Sequence, residues 1–145
     1  MTRHLGHGGM PLLDLLGVHF TGAEGGTATG RWCPSELACN PRGATQGGIF
    51  TVVLDAAMSL ALHSALPPGE AAVSVQLGTS QPLPARLGAP LTVTAEVVRL
   101  GRRMIFATAT VTDSEGGTVA FGTGTFARMP SPRRATGLSG CDEVS

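Results

Sequence analysis

The chain has 145 residues, a formal net charge of zero and only 14% charged residues, which suits one compact domain with a core of its own. So little charge, with no excess of either sign, lacks the electrostatic footprint that nucleic-acid binding requires. The three cysteines, Cys33, Cys39 and Cys141, are odd in number and show no CxxC or Cys/His spacing, which argues for reduced thiols and against a metal site.

In chain order, MTRHLGHGGMPLLDLLGVHF lacks the apolar run and cleavage site of a secretion signal. No run of about 18 apolar residues follows anywhere, so the expected location is the cytoplasm, with no membrane partner. Leu12, Leu13, Leu15 and Leu16 group as on a short amphipathic helix ending at Gly17. VHFTGAEGGTATGRW then turns to strand-like composition, with GAEGG as a turn or bulge, and predicts a strand or hairpin over 18–32. CPSELACNPRGATQGG reads as a loop.

From Ile49 to Leu66 there is neither Pro nor Gly, and the composition predicts one long helix stopped by PPGE. Four β-rich segments follow, AAVSVQLGTSQPL, PLTVTAEVVRLG, RRMIFATATVTDSEGG and TVAFGTGTFARM, separated by turn signals. The expected organisation is an N-terminal segment with a short helix (1–17), a single domain (18–129) and a disordered tail (130–145).

The long helix carries Ile49, Phe50, Val52, Val53, Leu54, Ala56, Ala57, Met58, Leu60, Ala61 and Leu62. It is apolar nearly all round, so it should be buried on most faces. The expected class is α+β, with an antiparallel sheet wrapped around one helix.

Asp55 interrupts that pattern. Burying an ionised carboxylate without partners costs several kcal/mol, so such a group is neutralised, finds donors or faces a water-filled cleft. Steps of four place Thr51, Asp55, Ser59 and His63 on one stripe. For Thr51 and Ser59 an ordinary bond to the preceding helical turn also fits, and His63 suits the helix C-terminus as a surface group. Gly47 and Gly48 stand just before the helix, where first-turn N–H groups have no intrahelical acceptor and suit a carbonyl oxygen gaining negative charge.

A carboxylate, a hydroxyl and an oxyanion-type donor are the ingredients of acyl transfer. From Gly47 to Asp55, however, is roughly 12 Å at about 1.5 Å per residue, too far for both to touch one carbonyl. If they cooperate, they come from two copies packed with helices antiparallel about a two-fold axis.

Taken together, NPRGATQGGIFTVVLDAA and SVQLGTSQPLPARLGAPLTVTAEVVRLGRRMIFATATVTDSEGGTVAFGTGTF resemble the hotdog-fold acyl-CoA thioesterases, specifically the phenylacetate-type branch. The resemblance covers roughly 18–129. It implies a hotdog fold, one long central helix wrapped by a curved antiparallel sheet of five or six strands. It also implies hydrolysis of a medium-chain or aryl acyl-CoA without metal or other cofactor, in a homodimer or homotetramer.

By that resemblance Asp55 is the general base or nucleophile, Gly47 donates its N–H to the thioester carbonyl, and Asn40 positions that carbonyl or the water. Ser59 and Ser74 match hydroxyl positions that assist the carboxylate or bind water in different branches. The family's His before Gly-Gly is here Gln46, which can orient the loop but cannot change charge near neutral pH. Gln46, Gly48, Phe50 and Met58 are expected to contact substrate, the last two as acyl-pocket lining. Arg102 and Arg103, with Arg99 and Arg86, are candidates for the CoA phosphates. Two further readings are a non-catalytic acyl-CoA-binding or sensing protein on the same scaffold and a hydratase, which would want an Asp/His pair where this chain has Asp55 and His63.

Overall fold

The computed structural model describes residues 9–130, so of the expected tail (130–145) only Pro130, which ends the last strand, is among the described residues, and Cys141 and the start of the N-terminal segment lie outside them. In order come α1 (Pro11–Leu16), β1 (Val18–Glu24), β2 (Thr27–Trp32), a single 3-10 turn (Glu36–Ala38), α2 (Gly47–Ala65), β3 (Glu70–Ser80), β4 (Leu91–Leu100), β5 (Met104–Thr112) and β6 (Thr118–Pro130). The strands form one antiparallel sheet in the order β1-β2-β4-β5-β6-β3, curved around α2. This is the hotdog fold.

The hairpin β1–β2 turns on Gly25 and Gly26, both at positive φ (57° and 91°), the geometry a two-residue hairpin turn needs. A bulge falls between Phe20 and Gly22. The long helix begins two residues earlier than its composition predicts, because Gln46 is extended (φ −67°, ψ 137°) and Gly47 and Gly48 form the first turn. It ends with the Leu66 N–H on the Leu62 carbonyl at 3.1 Å, just before Pro67 and Pro68, which offer no N–H to continue the ladder.

At 19 residues and a mean hydropathy of 1.5, α2 is long and apolar enough to cross a bilayer by length and composition alone. It is the core helix of the fold. Phe50, Val53, Leu54, Ala57, Met58, Ala61 and Leu62 are buried against Ala95, Ala107, Ala109, Val111 and Phe126 of the sheet. The sheet face below is kept shallow by glycine. A Cβ on Gly124 would lie 3.1 Å from the Met58 sulfur and 2.6 Å from the Phe126 ring, and one on Gly122 would lie 3.3 Å from Leu54 Cδ1. Glycines inside a strand mark such close approach, and here they let the helix sink into the sheet.

The short helix α1 joins the same core through Leu13 and Leu16. Its last turn is fastened from across the chain. The buried Trp32 indole N–H donates to the Leu16 carbonyl at 2.9 Å, and Trp32 in turn meets Phe50 edge-on at a ring separation of 5.3 Å. One aromatic pair thus ties α1, β2 and α2 together.

Candidate active site

Because α2 packs one flank on the sheet, Thr51, Val52, Asp55, Ala56, Ser59 and Leu60 are left half-buried along the other. Beside that flank runs β3, which pairs only with β6 and is therefore an edge strand. The Ser74 hydroxyl on β3 donates to Asp55 Oδ1 at 2.9 Å. Among the described residues Ser74 is the side chain bonded to Asp55, and no cation pairs with it. Oδ2 is left for another donor.

The two strands lose register between Ser74 and Gln76, so Val75 is an extra residue opposite β6. Such a bulge re-aims side chains locally. It lies immediately beside the serine that reaches Asp55.

Asp55, Ser59 and Ser74 are the polar members of a cavity of about 440 Å³, otherwise lined by Met10, Leu13, Val52, Ala56, Leu60, Ala72 and Val73. A carboxylate and two hydroxyls in an apolar groove can hold a water and a polarised carbonyl while the walls take an apolar group. Phe50 and Met58, expected as acyl-pocket lining, do not contribute. They are 2% and 0% exposed and face the sheet, since only half of an all-apolar helix can turn away from it. Val52 and Leu60 line the cavity instead.

Ser59 lies on the cavity, but its hydroxyl is 3.3 Å from His63 Nδ1 and not on Asp55. His63 itself has both ring nitrogens engaged. Nδ1 donates to the Ser59 carbonyl at 2.7 Å and Nε2 accepts the Ala72 N–H at 3.3 Å, a pair of bonds made by the neutral ring with its proton on Nδ1. His63 thereby clasps the end of α2 to β3, two residues before Ser74. The sequence suggested only a surface group at the helix terminus.

At the other end of α2, Asn40 shapes its own loop. Its Oδ1 accepts the Arg42 and Ala44 N–H groups at 3.0 and 3.4 Å, a side-chain-closed turn, and its Nδ2 reaches Gln46 Oε1 at 3.5 Å. Gln46 precedes the helix without capping it through its side chain, so the Gly47 and Gly48 N–H groups keep the first-turn donors unmatched within the helix. Gln81 Nε2 donates to the Gly47 carbonyl at 3.4 Å. A Cβ on Gly48 would meet nothing within 4 Å, so the space beside this turn is open.

Thr45, in the same loop, was not singled out by the sequence. It is 7% exposed, and its hydroxyl is buried without a hydrogen-bond partner among the described residues.

Within one chain the residues thus separate into two groups. Asp55, Ser59 and Ser74 share the cavity, whereas Asn40, Gln46, Gly47 and Gly48 do not line it. The arginines divide as well. Arg86 bridges to Ala44 beside the Asn40 loop, whereas Arg102 and Arg103 lie in the exposed β4–β5 turn at the far end of the sheet. The Arg128 guanidinium fixes that turn by donating to the Gly101 carbonyl at 3.0 Å, while its backbone N–H donates to the Arg103 carbonyl at 2.8 Å. Arg128 also pairs with Glu70, and Cys33 and Cys39 are free thiols.

One long helix wrapped by a curved six-stranded antiparallel sheet defines a hotdog protein. The chain belongs to the Thioesterase superfamily, whose pattern it matches over residues 43–120. Among solved structures it is similar to a conserved protein of Pseudomonas aeruginosa (25% identity, TM-score 0.76, covering 83% of this chain and 94% of that one). It is also similar to the PaaI protein of the Escherichia coli phenylacetic acid degradation operon (23%, 0.75, 86% and 88%). A third is a hypothetical thioesterase of Streptococcus pneumoniae solved with coenzyme A (21%, 0.73, 80% and 88%). No curated protein matches the sequence.

Proposed function

We propose that the chain is an acyl-CoA thioesterase of the phenylacetate-type branch, cleaving a medium-chain or aryl acyl-CoA to the free acid and CoA. The observation that carries this reading is Asp55, held by Ser74 at 2.9 Å in an apolar cavity of a Thioesterase superfamily chain. The CoA bound to the streptococcal neighbour supports CoA as the thiol half, with Arg86, Arg102 and Arg103 as the phosphate-binding candidates.

In the proposed reaction Asp55 takes a proton from water as the water oxygen attacks the thioester carbonyl carbon. The carbonyl oxygen becomes an oxyanion, stabilised by the Gly47 N–H at the positive end of α2. The tetrahedral intermediate collapses by breaking the C–S bond. Protonated Asp55 returns its proton to the departing thiolate, so no metal, cofactor or further reactant takes part. Asn40 and Gln46 hold the loop that presents Gly47.

The site is composite in this reading. Gly47 and Asp55 lie about 12 Å apart along one helix, so the Gly47 serving a given Asp55 belongs to a second copy. Support comes from β3, an unpaired edge of eleven residues with Val73 and Val75 exposed, since such edges template pairing with another chain.

Thiol release from a panel of aryl and straight-chain acyl-CoAs tests the reading. Wild type should turn over at least one member, and Asp55→Ala should abolish that turnover. Binding without hydrolysis across the panel would favour a non-catalytic acyl-CoA-binding protein. Mixed Asp55→Ala and Asn40→Ala chains should regain part of the activity, and no recovery despite proven subunit exchange would refute the composite site.

A further inference from the structure

We infer that the N-terminal segment sets which acyl group is accepted, with Met10 as the stop at one wall of the Asp55 cavity. The inference rests on the thioesterase reading above and deepens it.

Met10 and Leu13 line the same cavity as Asp55 and Ser74, although more than thirty residues of chain separate them from the helix that carries the carboxylate. They are the lining residues that neither α2 nor β3 supplies. Leu13 is buried, whereas Met10 is 40% exposed and so stands where the cavity meets solvent. An unbranched, flexible thioether at that position fills space without a fixed shape.

The wall is built to stay in place. A helix of six residues does not persist by itself, and this one is fastened at both ends. Pro11 fixes the backbone after Met10, which is extended (φ −117°, ψ 99°) as residues before proline are. The Met10 carbonyl accepts the Leu13 N–H at 3.0 Å. At the far end the Leu16 carbonyl accepts both the Trp32 indole at 2.9 Å and the Ser35 N–H at 3.0 Å, and the Ser35 hydroxyl donates to the Leu15 carbonyl. With the backbone held, the side chain at position 10 decides how far an apolar group extends past Asp55.

The test uses the full chain with butanoyl-, octanoyl-, dodecanoyl- and phenylacetyl-CoA and their non-hydrolysable thioether analogues. Met10→Ala should raise the preference for the longest group over the shortest by about tenfold or more, and Met10→Trp should lower it by a similar factor, the scale on which an apolar pocket discriminates by size. Leu12→Ala, on the same helix but off the cavity, should leave the ratio within about twofold of wild type. A flat ratio in both folded Met10 variants overturns the inference, as does an equal shift in Leu12→Ala, which would make α1 stability the cause. If wild type hydrolyses none of the panel, the thioesterase reading fails separately. The same ratios, read from dissociation constants of the thioether analogues, then support or overturn the Met10 stop.

Discussion

The two flanks of α2 are built from nearly the same residue types and do opposite things. One flank, with Phe50, Leu54, Met58 and Leu62, is buried on a sheet that glycines have hollowed to receive it. The other, with Val52, Ala56 and Leu60, is no more polar apart from Thr51, Asp55 and Ser59, yet it is left half-buried above a cavity. Apolar character alone therefore does not make a residue core. What the opposite element leaves unfilled decides whether a leucine is packing or pocket.

Asp55→Asn would mark the difference most sharply. It should lower kcat/KM by about two to four powers of ten, the usual contribution of a general base. The thermal midpoint should stay level or rise, because a half-buried charge is removed and the amide oxygen still accepts from Ser74. Full turnover by this variant would erase the distinction between the flanks.

Met58→Ala makes the complementary change on the buried flank and should cost about 2–5 kcal/mol in urea denaturation, with acyl preference unaltered in the folded fraction. A shift in acyl preference would mean that Met58 reaches the pocket after all. Ser74→Ala should reduce kcat/KM by about tenfold, as expected for loss of one hydrogen bond to a charged group, with little change in stability at so exposed a position. Smallest is Thr45→Val at the mouth of the helix. Replacing a buried hydroxyl that has no partner among the described residues should leave stability unchanged or raise it by about 1 kcal/mol, and a large loss of activity would instead show that this hydroxyl bonds the substrate.

Much of the architecture was legible because the signals are local. The Pro- and Gly-free run after Gly48, the double proline that ends it and the four alternating segments beyond each depend on neighbours in sequence. Asp55 stood out by contrast with its surroundings, and the resemblance directed attention to Ser74, which does meet it. The lining of the Asp55 cavity was not legible in the same way. An all-apolar helix has no period that distinguishes sheet from cavity, so Phe50 and Met58 were as plausible as Val52 and Leu60 until Gly122 and Gly124 showed where the helix sinks. Met10 and Leu13 reach the site only through long-range packing, for which no local spacing exists. His63 was half legible: its place near the helix end was plain, its hold on the Ala72 N–H was not.

That hold bears on solubility. A flat β edge can add strands without limit, which is how fibrils grow, and β3 offers eleven residues of edge. His63 occupies the Ala72 N–H and the bulge at Val75 breaks the even pleat three residues on, so an incoming strand finds neither a continuous row of donors nor a flat ribbon to copy. The edge proposed to pair with a second copy is thereby poorly suited to begin a stack.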